Sequence, residues 1–223
     1  MTHEKVRKLI LKALYAEYWL YDHLVFKGGN ALSLVYNVGG RSSLDLDFSI
    51  EDDFENMEQV SCRMSTALSS TFNEEGICVF DFKLEHKPKS TDTEWWGGYI
   101  VEFKLIAKSL AEKLSFRIED MRRQAFTIDP GSQRRRYTNE ISKFEYVADK
   151  VVKKVDDVDI YVYSPLLLAV EKLRALLQQH PDYPQIPNNL KRSRARDLYD
   201  IWAISDSFSI KLEFTLKRFH LSK

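Results

Sequence analysis

Two apolar patterns run along the chain, one with the period of a helix and one with the period of a strand. Helical spacing of apolar residues predicts helices over residues 3–21, 53–72, 109–126, 165–177 and 194–205. Strict alternation predicts half-buried strands over residues 44–50, 76–85, 99–106 and 141–147, with 76–106 forming an antiparallel hairpin. Together the patterns predict an α/β (α+β) fold, with a mixed-sheet body over residues 1–155 and a helical domain over residues 156–223.

Composition and charge exclude several classes of protein. The 223 residues include 33 Lys and Arg against 33 Asp and Glu, a balance that excludes binding of nucleic acid over the whole surface. The only two cysteines, Cys62 and Cys78, are too few for a disulfide scaffold or a four-cysteine zinc site. Because the sequence has neither an apolar run of ~20 residues nor a signal-peptide core, we expect a soluble, cytoplasmic protein.

Two carboxylates share one face of the strand predicted over residues 44–50. Asp45 and Asp47 alternate with Leu46 and Phe48, which places the two aspartates ~6.5–7 Å apart, two strand rises along the chain. Like charges this close repel unless a cation lies between them. Mg²⁺ prefers oxygen ligands and is usually held by one or two carboxylates together with substrate phosphates. The aspartates therefore predict a magnesium site.

A glycine pair lies upstream of these aspartates, in the segment Lys27-Gly28-Gly29-Asn30. Glycines allow a ligand to approach the backbone closely, and the short helix expected after them, with Asn30 as N-cap, offers free N–H groups to an anion. Arg41 and Ser43, just before the strand, could add donors to phosphate oxygens. A glycine pair alone is more often a plain turn, and an Asp-x-Asp pair alone is more often part of a solvated strand face. Their combination at this spacing indicates a nucleoside triphosphate site.

The segments that carry these features, Lys27 to Leu32 and Arg41 to Phe48, resemble the nucleotidyltransferase family of the AbiEii/AbiGii toxin type. Its usual pattern is a Gly-Gly-Thr/Ser-Ala-Leu turn followed by Arg-x-Ser-x-Asp-hydrophobic-Asp-Phe, and this chain departs from it at Asn30. Glu171 to Leu176 and Arg196 to Ile201 also resemble the C-terminal signature of that family. The resemblance implies a DNA polymerase β-like nucleotidyltransferase core with a C-terminal helical bundle. It further implies two Mg²⁺ ions as cofactors, an NTP as substrate and nucleotide contacts from Lys27, Gly28, Gly29, Asn30, Arg41, Ser43 and Lys172.

Lys172 lies on an apolar stripe of its predicted helix, since the residues three and four positions away on either side are all apolar. A lysine in this position either extends its ammonium to the surface or faces an anionic partner, because an unpaired buried ammonium is unfavourable. The resemblance favours a lysine that faces phosphate. It also implies that Asp197 positions Lys172 or the substrate, although Asp197 and Asp200 could simply pair with Arg194 and Arg196.

Polymerase β-like sites usually carry a third carboxylate on a neighbouring strand, and the sequence offers two candidates. Glu145 and Glu102 both lie on predicted strands, and the family order of strand, linker and helix favours Glu145. The resemblance thus implies Asp45, Asp47 and Glu145 as metal ligands. Either glutamate could equally be an ordinary exposed strand residue.

Three functions remain open from the sequence. The first is transfer of NMP from an NTP to an acceptor, with tRNA or another RNA as a candidate. The basic segments of the chain at residues 134–136 and 191–194 would then bind the RNA backbone instead of being only solvated. The resemblance further implies a toxin of a toxin–antitoxin or abortive-infection system, with a winged-helix antitoxin as partner. The others are a catalytically silent nucleotidyltransferase-like binding module and an adenylyltransferase acting on small molecules.

Overall fold

A computed structural model describes residues 2–39, 45–89, 96–128, 133–179 and 194–210. The helices in these ranges are α1 (His3–Ala16), α2 (Tyr18–His23), α3 (Gly28–Leu34), α4 (Met57–Glu74), α5 (Lys108–Lys113), α6 (Ile118–Gln124), α7 (Pro165–Leu177) and α8 (Ala195–Phe208). The strands are β1 (Val25–Lys27), β2 (Leu46–Ser49), β3 (Ile77–Lys87), β4 (Gly98–Ala107), β5 (Tyr137–Ser142), β6 (Lys150–Val155) and β7 (Val158–Tyr163).

All seven described strands form one mixed sheet in the order β3-β4-β5-β2-β1-β7-β6. The β1–β7 and β2–β5 pairs are parallel, and the other neighbours are antiparallel. The short strands β1 and β2 lie in the centre of the sheet. The mixed α/β fold class is therefore confirmed, as is the antiparallel hairpin of β3 and β4.

One face of the sheet is apolar and covered by helices. Phe26 on β1 lies opposite Phe48 on β2 and Val162 on β7, and all three are fully buried. Tyr15 of α1 contacts the ring of Phe48, and α1 in turn packs against α4. Because side chains alternate along a strand, the residues next to these phenylalanines face the opposite side of the sheet. That opposite face carries the candidate site.

Two of the predicted long helices are interrupted. The segment 3–21 divides into α1 and α2 at Glu17, which is extended and whose carboxylate accepts a hydrogen bond from the Leu20 N–H at the start of α2. The segment 109–126 divides into α5 and α6, because Ser115 and Phe116 adopt positive φ angles of 51° and 53°. Apolar periodicity continues across both breaks, so the pattern alone does not show them.

The strand prediction for residues 141–147 is wrong. Strand β5 ends at Ser142, and Phe144 adopts a left-handed φ of 58° that ends the extended backbone. Glu145 follows in irregular structure, where its N–H donates to the Ile50 carbonyl. Glu145 therefore does not lie on a strand next to β2.

Strands β6 and β7 form a hairpin that the apolar pattern did not predict. They pair along their whole length, from Lys150 opposite Tyr163 to Val155 opposite Val158, and β7 continues the sheet from β1. A domain boundary between residues 155 and 156 would cut through this hairpin. The sheet body thus extends to Tyr163, and the C-terminal helices begin after it.

Helix α7 agrees with its sequence prediction. Pro165 occupies its first turn, and the Ser164 hydroxyl accepts a hydrogen bond from the Leu167 N–H at 3.2 Å, as expected for a serine cap followed by proline. Helix α8 packs against α7. In the described part of the chain, no helix combines the length and the apolar character needed to cross a membrane.

Candidate active site

Three ionisable side chains lie in one row across the polar face of the sheet. Lys27 on β1 is opposite Asp47 on β2, and Asp47 is opposite Glu140 on β5. Side chains directly opposite on neighbouring strands share a face and lie about 4.5–5.5 Å apart at Cβ. The pairing therefore places two carboxylates and one ammonium beside each other at the centre of the sheet.

The Gly28 turn lies directly against Asp47. Gly28 has a φ of +76°, and a Cβ added there would overlap Asp47 Oδ2 and lie 3.2 Å from the Asp47 Cβ. By contrast, no described atom lies within 4 Å of a Cβ added at Gly29. The glycine turn and the Asp47 carboxylate thus lie on the same side of the sheet, as one site formed by both motifs requires, and among the described residues the space above Gly29 is open.

The charge of the Asp47 carboxylate is poorly compensated. Burial raises the pKa of Asp47 to about 7, and although Lys27 opposes this rise, the carboxylates of Glu140, Glu171 and Asp45 add to it. A carboxylate surrounded by other carboxylates is a site at which bound positive charge is stabilised.

Lys27, the one ammonium in the row, is committed to other partners. Its Nζ lies 2.8 Å from Glu171 Oε1 and 3.7 Å from Glu145 Oε1, and it donates to the Ser142 hydroxyl at 3.1 Å. Burial alone lowers the pKa of Lys27, but the two glutamates outweigh burial and hold it above its ordinary value. With its side chain only 8% exposed, Lys27 anchors α7 to β1, and its charge opposes the raised pKa of Asp47 without cancelling it. Its predicted nucleotide contact stays a prediction.

Asp45, one residue before β2, is held by two groups from other parts of the chain. Its Oδ1 accepts a hydrogen bond from Arg134 Nη2 at 2.8 Å, and its backbone carbonyl accepts one from the Asn30 amide at 2.6 Å. Asn30 is fully buried, and its Oδ1 accepts from Arg7 Nη1 at 2.8 Å.

The Asn30 N-cap prediction is therefore wrong. Helix α3 starts at Gly28 with Lys27 as N-cap, so Asn30 lies inside the helix. Both polar atoms of its amide are occupied by Arg7 and by the Asp45 backbone. Asn30 positions the first residue of the Asp-x-Asp pair, and its predicted contact with nucleotide has no support from this geometry.

Neither of the two predicted third carboxylates lies opposite Asp47 on β2. Glu145, displaced by the early end of β5, accepts from Arg174 Nη2 at 3.1 Å through both oxygens and faces Lys27. Glu102 on β4 pairs across the sheet with Thr138 and accepts from Arg136 at 2.9 Å. The carboxylate on the strand next to β2 is Glu140, which is bound to Lys87 Nζ at 2.5 Å.

The structure places Lys172 between two aspartates of α8. Its Nζ lies 2.6 Å from Asp200 Oδ2 and 3.3 Å from Asp197 Oδ1, and its side chain is 10% exposed. The alternative in which Lys172 extends its ammonium to the surface is therefore wrong. Asp197 also accepts from Arg194 at 3.2 Å, so both predicted pairings of Asp197 occur together. A Cβ at Gly39 would lie 3.9 Å from Asp200, which brings this cluster close to the segment between α3 and β2.

The described carboxylates suit a hard divalent cation that completes its shell with substrate. Within the described ranges, no three His, Cys, Asp or Glu side chains lie close enough together to hold a metal ion, so the predicted trio of Asp45, Asp47 and Glu145 is not assembled. Mg²⁺ usually needs only one or two carboxylates when substrate phosphates supply further oxygens. Asp45 and the poorly compensated Asp47 fit that requirement. The predicted phosphate contacts Arg41 and Ser43 lie outside the described residues.

The arginines at residues 134–136 are partly exposed, and each contacts a group of the protein itself. Arg134 binds Asp45, Arg136 binds Glu102, and Arg135 donates to the Ala125 carbonyl. Of the second basic segment, residues 191–193 lie outside the described residues, and Arg194 binds Asp197. The described arginines thus serve intramolecular contacts, and the prediction that they bind RNA backbone gains no support from them.

Glu140 and Glu171 are the residues of this site that the sequence argument did not select. Thr138, Glu140 and Ser142 alternate with Tyr137, Asn139 and Ile141. This alternation begins four residues upstream of the predicted strand 141–147. Glu171 lies in the same helical segment as Lys172, where nothing in the local pattern marks it as a partner of β1.

One family of known proteins and several solved structures are similar to this chain. Residues 10–221 match the family described as nucleotidyl transferase AbiEii toxin of type IV toxin–antitoxin systems. The crystal structure of JHP933 from Helicobacter pylori superposes with a TM-score of 0.54 at 20% identity, over 97% of this chain and 72% of that one. That similarity supports the fold.

Two further structures are similar at lower scores. The nucleotidyltransferase toxin MenT4 from Mycobacterium tuberculosis H37Rv gives a TM-score of 0.47 at 16% identity, over 78% of this chain and 51% of MenT4. A nucleotidyltransferase-like protein from Paracoccidioides brasiliensis gives 0.46 at 16% identity, over 89% and 75% of the two chains. No curated protein matches the sequence. Because the family match covers nearly the whole chain, the protein belongs to the AbiEii nucleotidyltransferase toxin family.

Proposed function

We propose that the protein transfers NMP from an NTP to an acceptor in a reaction that depends on Mg²⁺ and releases pyrophosphate, with an RNA as the acceptor class. The observation that carries this proposal is the Asp47 carboxylate, which is poorly compensated and lies directly against the Gly28 turn. Asp45 and Asp47 would hold the metal, which when bound stabilises negative charge on the attacking and leaving oxygens. A winged-helix antitoxin is proposed as the partner on the basis of family membership alone.

Other residues of this chain would bind the phosphates or position the elements that carry the site. No described atom lies within 4 Å of a Cβ added at Gly29, which would give the polyphosphate room to approach the backbone. Lys27, held by Glu171 and Glu145, fixes α7 against the strand that carries the turn. Lys172 is the proposed phosphate-binding lysine, with Asp200 and Asp197 as its partners when no substrate is bound. An ammonium that exchanges these partners for phosphate would stabilise the charge that develops in the transition state.

Calorimetric titration of each NTP, with Mg²⁺ and with EDTA, tests this function together with transfer of α-³²P-labelled NTP to total RNA. We expect NTP binding that requires Mg²⁺ and label that remains with the RNA. No NTP binding under either condition would contradict the proposal and support a silent binding module. Metal-dependent binding with label transferred only to small molecules would contradict RNA as the acceptor and support a small-molecule adenylyltransferase.

Glu140, rather than Glu145 or Glu102, is proposed as the carboxylate that supports Asp47, without itself binding the metal. We expect Glu140→Gln to lower transfer about 10–100-fold, the usual range for a group that supports metal ligands, because Glu140 is opposite Asp47 in the sheet. Glu102→Gln is the matched control, since Glu102 is also a strand glutamate bound to a basic side chain, and it should stay within about threefold of wild type. Transfer rates of both variants at saturating Mg²⁺ test this assignment. If Glu102→Gln loses more transfer activity than Glu140→Gln, the assignment is contradicted.

A further inference from the structure

The two aspartates of the Asp-x-Asp pair have basic neighbours of very different character. Lys27, opposite Asp47, is 8% exposed and fixed by Glu171, Glu145 and Ser142. Arg134, bound to Asp45, comes from the segment before β5, and its side chain is 38% exposed. The charge next to Asp47 is therefore fixed inside the protein, whereas the charge next to Asp45 lies at the protein surface.

The contact of Arg134 with Asp45 is made through one nitrogen. Arg134 Nη2 donates to Asp45 Oδ1 at 2.8 Å and to the Thr138 hydroxyl at 2.7 Å, and Nε donates to the Arg136 carbonyl at 3.2 Å. A single contact of this kind between partly exposed groups is weaker than a two-nitrogen fork on a carboxylate. Arg134 is thus placed to exchange Asp45 for a better anionic partner.

Arg134 and a divalent cation compete for the same carboxylate. The Asp45 side chain is 34% exposed, so a cation can reach it from solvent. A dication at Asp45 would sit within a few ångströms of the guanidinium, and like charges at that distance repel. Metal binding at Asp45 is therefore opposed for as long as Arg134 remains in place.

A polyphosphate provides the alternative partner. Guanidinium groups bind phosphate oxygens through two parallel hydrogen bonds, which one carboxylate oxygen cannot offer. A nucleoside triphosphate above the Gly28 turn would bring such oxygens to the face of the sheet that carries Asp45. The same molecule would also bring oxygens that complete the shell of the metal.

We propose that Arg134 keeps divalent cations away from Asp45 until a nucleoside triphosphate arrives and draws the guanidinium onto its phosphates. The proposal rests on the proposed function, and it adds that metal binding and nucleotide binding are coupled through this one arginine. Coupling of this kind is reciprocal, so the nucleotide raises metal affinity by the same factor by which the metal raises nucleotide affinity.

Binding of Mn²⁺, measured by electron paramagnetic resonance of the free ion, tests the proposal without any transfer reaction. Without nucleotide, we expect Arg134→Gln to bind Mn²⁺ about 5–10-fold more tightly than wild type, because one nearby positive charge is gone. With an α,β-methylene NTP analogue this gain should disappear. Arg136→Gln, the neighbouring arginine bound to Glu102, is the matched control and should behave as wild type.

Two further variants separate charge from structure. Arg134→Lys keeps a positive charge next to Asp45 and should bind Mn²⁺ as wild type does, and in an Asp45→Asn background the effect of Arg134→Gln should vanish. Unchanged or weaker Mn²⁺ binding in Arg134→Gln, while wild type binds Mn²⁺ with the analogue, would overturn this inference alone. If wild type binds no Mn²⁺ even with the analogue, the proposed function fails and the inference fails with it.

Discussion

Replacing Asp47 with asparagine is expected to abolish nucleotide transfer while making the folded protein more stable. Transfer should fall by about 10³-fold or more, because asparagine keeps the shape of the side chain but loses the negative charge that would hold the metal. Most substitutions at partly buried sites destabilise a protein. A gain in stability together with loss of activity is the expected signature of a residue kept for function at the expense of the fold.

The stability gain follows from the raised pKa of Asp47. Burial and the neighbouring carboxylates raise this pKa to about 7 in the folded chain, so between roughly pH 4 and pH 7 the folded state binds a proton that the unfolded state has released. Wild-type stability should therefore decrease as pH rises through that window. Asparagine carries no charge at any pH, so at pH 8 the variant should be more stable by about 1–3 kcal/mol.

Urea denaturation at pH 4 and pH 8, with EDTA and with Mg²⁺, measures both effects. In EDTA, the difference in free energy of unfolding between the variant and wild type should be small at pH 4 and large at pH 8. Added Mg²⁺ should stabilise wild type, since a ligand that binds only the folded state raises its stability, and should leave the variant unchanged. A variant less stable than wild type at pH 8 would show that Asp47 has a structural partner and does not carry uncompensated charge.

Elements marked by local chemistry could be predicted from the sequence. Helix α7 begins where the Ser164-Pro165 cap places it, and the central part of β2 follows from the alternation of Leu46 and Phe48 with the aspartates. These signals depend on residues close together in the chain. The closeness of the Gly28 turn to Asp47 was also accessible, because the two motifs together indicate one nucleotide site.

The neighbours of Asp47 in the sheet could not be predicted in the same way. Lys27, Asp47 and Glu140 meet because three strands from distant parts of the chain pair in one register. Periodicity shows which face of a strand a residue occupies, but the residue beside it on the next strand is set by tertiary packing. Glu145 was favoured by the family order of strand, linker and helix, but the left-handed Phe144 ends the strand before Glu145.

Alanine at Gly28 is expected to disrupt the site from the backbone side. The added Cβ would overlap Asp47 Oδ2 and would sit on a backbone with a φ of +76°, a conformation that costs residues other than glycine about 1–2 kcal/mol. Asp47 must then rotate away from the turn. Transfer should fall about 10²-fold, the scale of displacing a reacting group by about 1 Å, and the free energy of unfolding should fall by about 1–3 kcal/mol.

Gly29→Ala is the matched control for this change. Gly29 lies one residue further along α3, where no described atom lies within 4 Å of an added Cβ, and alanine favours a helix over glycine by about 0.5–1 kcal/mol. Its stability should equal or slightly exceed that of wild type, and any loss should appear as a raised KM for NTP if phosphates approach the backbone there. Urea denaturation and transfer kinetics on both variants make the comparison. If Gly28→Ala keeps wild-type transfer, or Gly29→Ala loses as much stability as Gly28→Ala, the close contact between the glycine turn and Asp47 is not what the active site depends on.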